Sequence, residues 1–168
     1  MSHFLCGCFT FKGDDRELRG AIDELRVLAK ANGFYFQSEI TGALGPTVVD
    51  ILDAAHEGSR PRGRYCFLAA DDEMVNVSDR LIDASERLVG TDISMRQAAV
   101  DALGPLQSFM QAATKLTWFT SPVLVFSEGF DTSYPEIEVD THNMLDRIAA
   151  EYEREDRVPS LKVRIVSR

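Results

Sequence analysis

The stretch "FLCGCFTF", residues 4–11, decides how the chain is built, because it is apolar on both of its alternating faces. A strand that is wet on one side alternates polar with apolar, so a strand apolar on both sides belongs inside a sheet. A helix follows at once. Asp14 and Glu17 form a D-x-x-E capping box, and Leu18, Ile22, Leu25 and Leu28 make one stripe at helical spacing. Asn32-Gly33 stops that helix with a left-handed turn.

The alternation then resumes. "FYFQSEI" (34–40) sets Phe34, Phe36, Ser38 and Ile40 against Tyr35, Gln37 and Glu39, a strand with one wetter face. Pro46 opens a second helix that buries Val48, Val49, Leu52 and Ala55. The loop "GSRPRGR" (58–64) leads to the strand "YCFLAA" (65–70), and a third helix runs from Met74 to Val89. A fourth starts at the box Ser94 to Gln97, with Ala99, Leu103, Leu106, Met110 and Ala113 inward, and Gly104-Pro105 is expected to kink or split it. "SPVLVF" (121–126) is a short apolar strand. Thr141 caps a fifth helix that buries Leu145, Ile148, Ala149 and Tyr152, and "LKVRIVS" (161–167) fits a half-exposed edge strand guarded by Lys162 and Arg164.

Strands separated by helices imply crossovers. The expected fold is therefore α/β, a single domain over residues 1–168 with a mostly parallel sheet of about five strands and helices on both faces. The fallback is α+β with an antiparallel edge strand.

Composition bounds the function. Of 168 residues, 45% are apolar and 27% charged, the balance of a globular protein with a real core. No apolar run is long enough to span a bilayer, and "MSHFLCGCFTF" has neither the basic region nor the long apolar region of a secretory signal, so the expectation is cytoplasmic, without a membrane role. Three cysteines in apolar strands read as free thiols. A net charge of −9 argues against nucleic acid, which requires a basic face.

Four constellations are candidates for chemistry. If the sheet is parallel, the acids after its strands share one edge: Asp14 and Asp15, then Asp71, Asp72 and Glu73, then Glu128 and Asp131. Asp71, Asp72, Glu128 and Asp131 would hold Mg²⁺, a hard ion that takes oxygen ligands and neutralises charge on a phosphate. The plainer reading is the stronger: Asp14 caps the first helix, Asp71 or Asp72 the third, and Asp131 sits in the turn-like "EGFDTS". "TGALGPT" (41–47) offers backbone N–H groups to an anion at a helix start but lacks the P-loop lysine. Cys6, Cys8 and Cys66 make a three-thiolate zinc site conceivable, although buried cysteine more often packs as a small apolar residue. His142, Asp140 and Ser127 can be drawn as a triad, on composition alone.

The remaining feature is charge. Between Glu128 and Asp156 ten acids face two arginines, a local balance of −8. Glu136, Glu138, Asp140, Asp146, Glu151, Glu153 and Glu155 lie beside positions that the last helix must bury. A charged helix face is usually just solvated, but it can also steer a basic partner. The leading expectation is a non-catalytic protein that binds a basic macromolecule through this surface, as inhibitors and immunity proteins do, with no cofactor. The alternative is a Mg²⁺-dependent enzyme of phosphoryl or phosphate-ester chemistry. Self-association as a homodimer would rest on Trp118 and Phe119.

Overall fold

The computed structural model describes residues 3–35, 64–70, 76–78, 81, 93–128 and 134–166. Within these, the elements run β1 (His3–Thr10), α1 (Asp15–Ala31), β2 (Arg64–Ala70), α2 (Met95–Ala113), β3 (Thr120–Glu128), β4 (Glu136–Val139), α3 (Met144–Glu155) and β5 (Leu161–Ile165). The expected strand from Phe36 onward, the helix opened by Pro46, the Gly- and Arg-bearing loops and nearly all of the 74–89 helix lie outside the described residues.

The strands form one mixed sheet in the order β2-β1-β3-β5-β4. β1 is interior, as its two apolar faces require, with antiparallel neighbours on either side; β3 and β5 are also antiparallel, and only β4 and β5 run parallel. This corrects the mostly parallel sheet. Parallel pairing needs a connection that returns the chain to the end where the first strand began. The single-helix crossover β4-α3-β5 does this; the longer connections from β1 to β2 and from β2 to β3 impose no direction.

β5 is interior too, seated between β3 and β4, so Lys162 and Arg164 do not guard an edge. Both instead reach Glu136 on β4, at 3.1 and 2.7 Å. Where β3 begins, the ladder to β1 slips by one residue: Cys8 faces Val123 but Thr10 faces Thr120. Ser121 takes a left-handed φ of 50° there, next to Pro122, which has no N–H to donate. The extra residue is a bulge.

One face of the sheet carries Leu5, Phe9, Leu124, Phe126, Val163 and Val139 into a core shared with all three helices. Leu18, Leu25 and Ala29 come from α1, Leu103, Leu106 and Met110 from α2, and Ile148 and Tyr152 from α3. These three helices thus join the core on the same face, rather than being divided between two. The opposite face is buried and apolar at Cys6, Cys8 and Val125, then ionic across β5 and β4.

Local signals place the helices. Both halves of the Asp14–Glu17 box form, each at 2.8 Å. α1 ends as expected: Gly33 has φ 74°, its N–H reaches the Lys30 carbonyl, and the Phe34 N–H reaches that of Ala29. That pair of bonds is the Schellman motif, and Phe34 drops into the core stacked on Phe109 at 5.3 Å. α2 is continuous through Pro105, so of the expected kink or split at Gly104-Pro105 the split does not occur. Its cap is half of the expected box. Ser94 accepts from the Gln97 N–H at 3.1 Å, while the Gln97 side chain turns to Asp101.

Candidate functional site

The acids of residues 136–156 do not form one patch. Because Ile137 and Val139 face the core, Glu136 and Glu138 stand on the other side of the sheet from the helices. Glu136 is held by Lys162 and Arg164, whereas Glu138 is exposed and has no ion-pair partner among the described residues. The helical set is separate. Asp146 and Glu153 are seven residues apart, so they share one stripe of α3, and both meet Arg96 of α2. On the neighbouring stripe Arg154 binds Glu151 at 2.6 Å and Glu155 at 2.7 Å.

These pairs shape the electrostatics. The hydrogen bond from Arg96 to Asp146 and the charge of that carboxylate raise the Arg96 pKa, with Glu153 adding to it. Glu151 first, then Glu155, raises that of Arg154. Exposed pairs of this kind contribute little to stability. Their larger effect is that much of the local excess of acid is countered by cations from elsewhere in the chain: Arg96, Arg157, Lys162 and Arg164.

Asp140 has a different job. Its Oδ1 accepts the backbone N–H groups of His142 and Asn143, both at 2.9 Å, while Asn143 Oδ1 accepts the Asp140 N–H. Asn143 rather than Thr141 is therefore the N-cap of α3. The turn is tied to α2, since Gln107 Nε2 donates to the carbonyls of Thr141 and His142, and Gln111 Nε2 to that of Thr141. A shallow cavity of about 300 Å³ beside it is lined by Gln111, Thr114, Lys115, Asp140, Thr141, His142 and Val166.

No triad assembles from these residues. Ser127 is fully buried and hydrogen-bonds the Tyr134 hydroxyl at 3.0 Å, and Asp140 binds the backbone of His142 rather than its imidazole.

The strand-end acids divide between the two ends of the sheet. β1 is antiparallel to β2 and β3, so Asp14 and Asp15 follow the end of β1 that lies away from the ends of the other two. Asp71, Asp72 and Asp131 lie outside the described residues. Glu128 ends β3 opposite His3. Cys6 and Cys8 are buried, and Cys66 stands opposite Cys8 in the ladder. Among the described residues no group of three His, Cys, Asp or Glu side chains is placed to hold a metal, and no described helix is long and apolar enough to cross a membrane. Phe119 is spent in the core, and Trp118 packs edge-on against Phe9, Phe11 and Phe119.

Sequence reading missed Arg96 and the two glutamines. Arg96 does carry a signal: a cation in the first turn of a helix opposes the macrodipole, so it is there for a tertiary partner. Gln107 and Gln111 carry none, since a polar residue four positions from another reads as solvated surface. Compared with protein-family models, curated proteins and solved structures, the chain matches none.

Proposed function

We propose that the chain is a non-catalytic binding protein whose α3 surface docks a basic protein partner, as an inhibitor or immunity factor would. One observation carries this. Asp146 and Glu153, 70% and 52% exposed, share the single cation Arg96, so that stripe keeps an excess of carboxylate facing solvent. Glu151 and Glu155, on the neighbouring stripe, are countered by Arg154 and Arg157, while Glu136 and Asp140 serve the fold itself. Such a surface steers an approaching partner and sets its register more than it supplies affinity. The test is the affinity of an arginine-rich peptide. Combining Asp146→Asn with Glu153→Lys should weaken it about tenfold at low salt and much less when screening shortens the Debye length to a few ångströms. Asp23→Lys on α1 should change nothing. Equal effects from both variants would sink the reading.

A second reading, a Mg²⁺-dependent enzyme of phosphoryl or phosphate-ester chemistry, is favoured by one placement. β2 ends at Ala70 opposite Leu5, and β3 ends at Glu128 opposite His3, so both strands finish at the same end of the sheet with only β1 between. Two strand spacings amount to about 10 Å. In this reading Asp71 and Asp72 bind the ion, and Glu128 or Asp131 completes its shell or acts as base. A resident ion at a hundred times its dissociation constant adds about 2.7 kcal/mol to the native state. Melting with Mg²⁺ against EDTA should then show an increase of several degrees that Asp71→Ala/Asp72→Ala abolishes, and no increase removes the reading.

A further inference from the structure

Where β1 leaves the sheet, Phe11, Lys12 and Gly13 meet the first half of α1 and the turn that enters β3, and a cleft of about 460 Å³ opens between them. The volume is that of a small-molecule site. Its apolar wall is two rings, Phe11 and Trp118, with centroids 5.8 Å apart and planes at 85°. Its polar wall is Glu24, whose Oε2 accepts the indole Nε1–H at 3.2 Å, together with Glu17. Glu24 has no cation partner among the described residues. Lys12 is the only cation in the lining among the described residues and is exposed.

Perpendicular rings beside a carboxylate complement one kind of ligand. The negative faces of the π systems and the carboxylate attract a cation, and the rings also shed water against its alkyl groups. An anion would meet Glu17 and Glu24 against one lysine. A neutral ligand would gain nothing from the charge of the two carboxylates. Gly13 is packed closely in the lining: a Cβ there would fall 2.5 Å from Glu17 Oε2 and 2.6 Å from the Phe11 ring, so a side chain would displace both.

We propose that this cleft binds small organic cations, an alkylammonium or guanidinium group seated against Phe11 and Trp118 beside Glu24. It stands apart from the acidic stripe of α3 and does not depend on it. The chemistry can come from a free amine or from an arginine side chain, and the test distinguishes the two.

Trp118 is the only tryptophan in the chain, so its emission reports the site directly. Intact protein is titrated with tetramethylammonium and with N-acetylarginine amide, alongside tert-butanol and pivalate as neutral and anionic counterparts of similar shape. A saturable change is expected with at least one cation and with neither counterpart. Whichever cation binds more tightly identifies the source. Glu24→Gln keeps an acceptor for the indole and removes only the charge, and should weaken binding about five-fold. Lys12→Ala should tighten it, an opposite shift that a purely structural role would not produce. Asp146→Asn/Glu153→Lys on α3 should leave it unchanged. No saturable response to either cation, an equal response to pivalate, or indifference to Glu24→Gln would overturn the proposal.

Discussion

Gly33 takes a φ of 74° that an L side chain adopts only with strain, and that one backbone choice lets Phe34 reverse direction and stack on Phe109. A single residue here couples a helix end to the core. Tyr152 shows the same coupling through its ionisation. It is fully buried, packed edge-on against Phe126, and burial raises its pKa well above the ordinary value of about 10. In the native state the phenol therefore stays protonated where the unfolded chain has begun to lose its proton. Stability from this group is fully present below the unfolded pKa and is lost as pH rises from there towards the folded value. Urea unfolding between pH 8 and pH 11 should fall with a slope steeper by up to about 1.4 kcal/mol per pH unit in wild type than in Tyr152→Phe at the alkaline end. Parallel slopes would mean that the phenol is not desolvated.

At the scale of elements, α2 acts as the spine of the helical layer, in contact with α1 on one side and α3 on the other. Its contact with α3 is polar at two points. Arg96 reaches Asp146 and Glu153, and Gln107 and Gln111 hold the carbonyls of Thr141 and His142. The two anchors differ in kind. The arginine pairs are exposed and screened; the two glutamine bonds to the Thr141 carbonyl are partly buried, that to His142 is exposed, and together they satisfy carbonyls at the turn between β4 and α3. Gln107→Leu/Gln111→Leu is accordingly expected to cost about 2 kcal/mol in urea unfolding, with little change on adding salt. A loss that disappears at high salt would assign the joint to the ion pairs instead. β4 is the strand that sequence reading passed over. Ile137 and Val139 do alternate with Glu136 and Glu138, but four residues among so many acids look like charged surface.

For the whole molecule, strand order governs both stability and the sharing of sites. β3 lies at the centre of the sheet, bonded to β1 on one side and β5 on the other, and its residues 123–127 are buried. β4 is short and stands at the end of that order. In native-state hydrogen exchange the amides of Val123–Phe126 should open only with global unfolding, and that of Glu138 should exchange by local fraying. Comparable protection of the two would show that something else covers β4. The same order divides the acids: antiparallel neighbours send the end of β1 one way and the ends of β2 and β3 the other, while the sheet itself separates Glu138 from Asp146.

Residue order alone accounts for the parts whose causes lie within a turn or two of chain. The box at Asp14 and Glu17, the stop at Gly33, the inward stripe of α2 and the interior character of β1 were all legible, because capping and 3.6-residue periodicity are written in residue type. Tertiary structure alone decided that β5 sits inside the sheet, that β3 is antiparallel to its neighbours, and that Arg96 meets carboxylates 50 and more residues away. The reason is physical. Strands pair through backbone N–H and C=O groups that nearly every residue possesses, so neighbour and direction leave almost no mark on side-chain identity. Charges brought together across the fold neutralise one another only once the sheet and helices have set the distances between them.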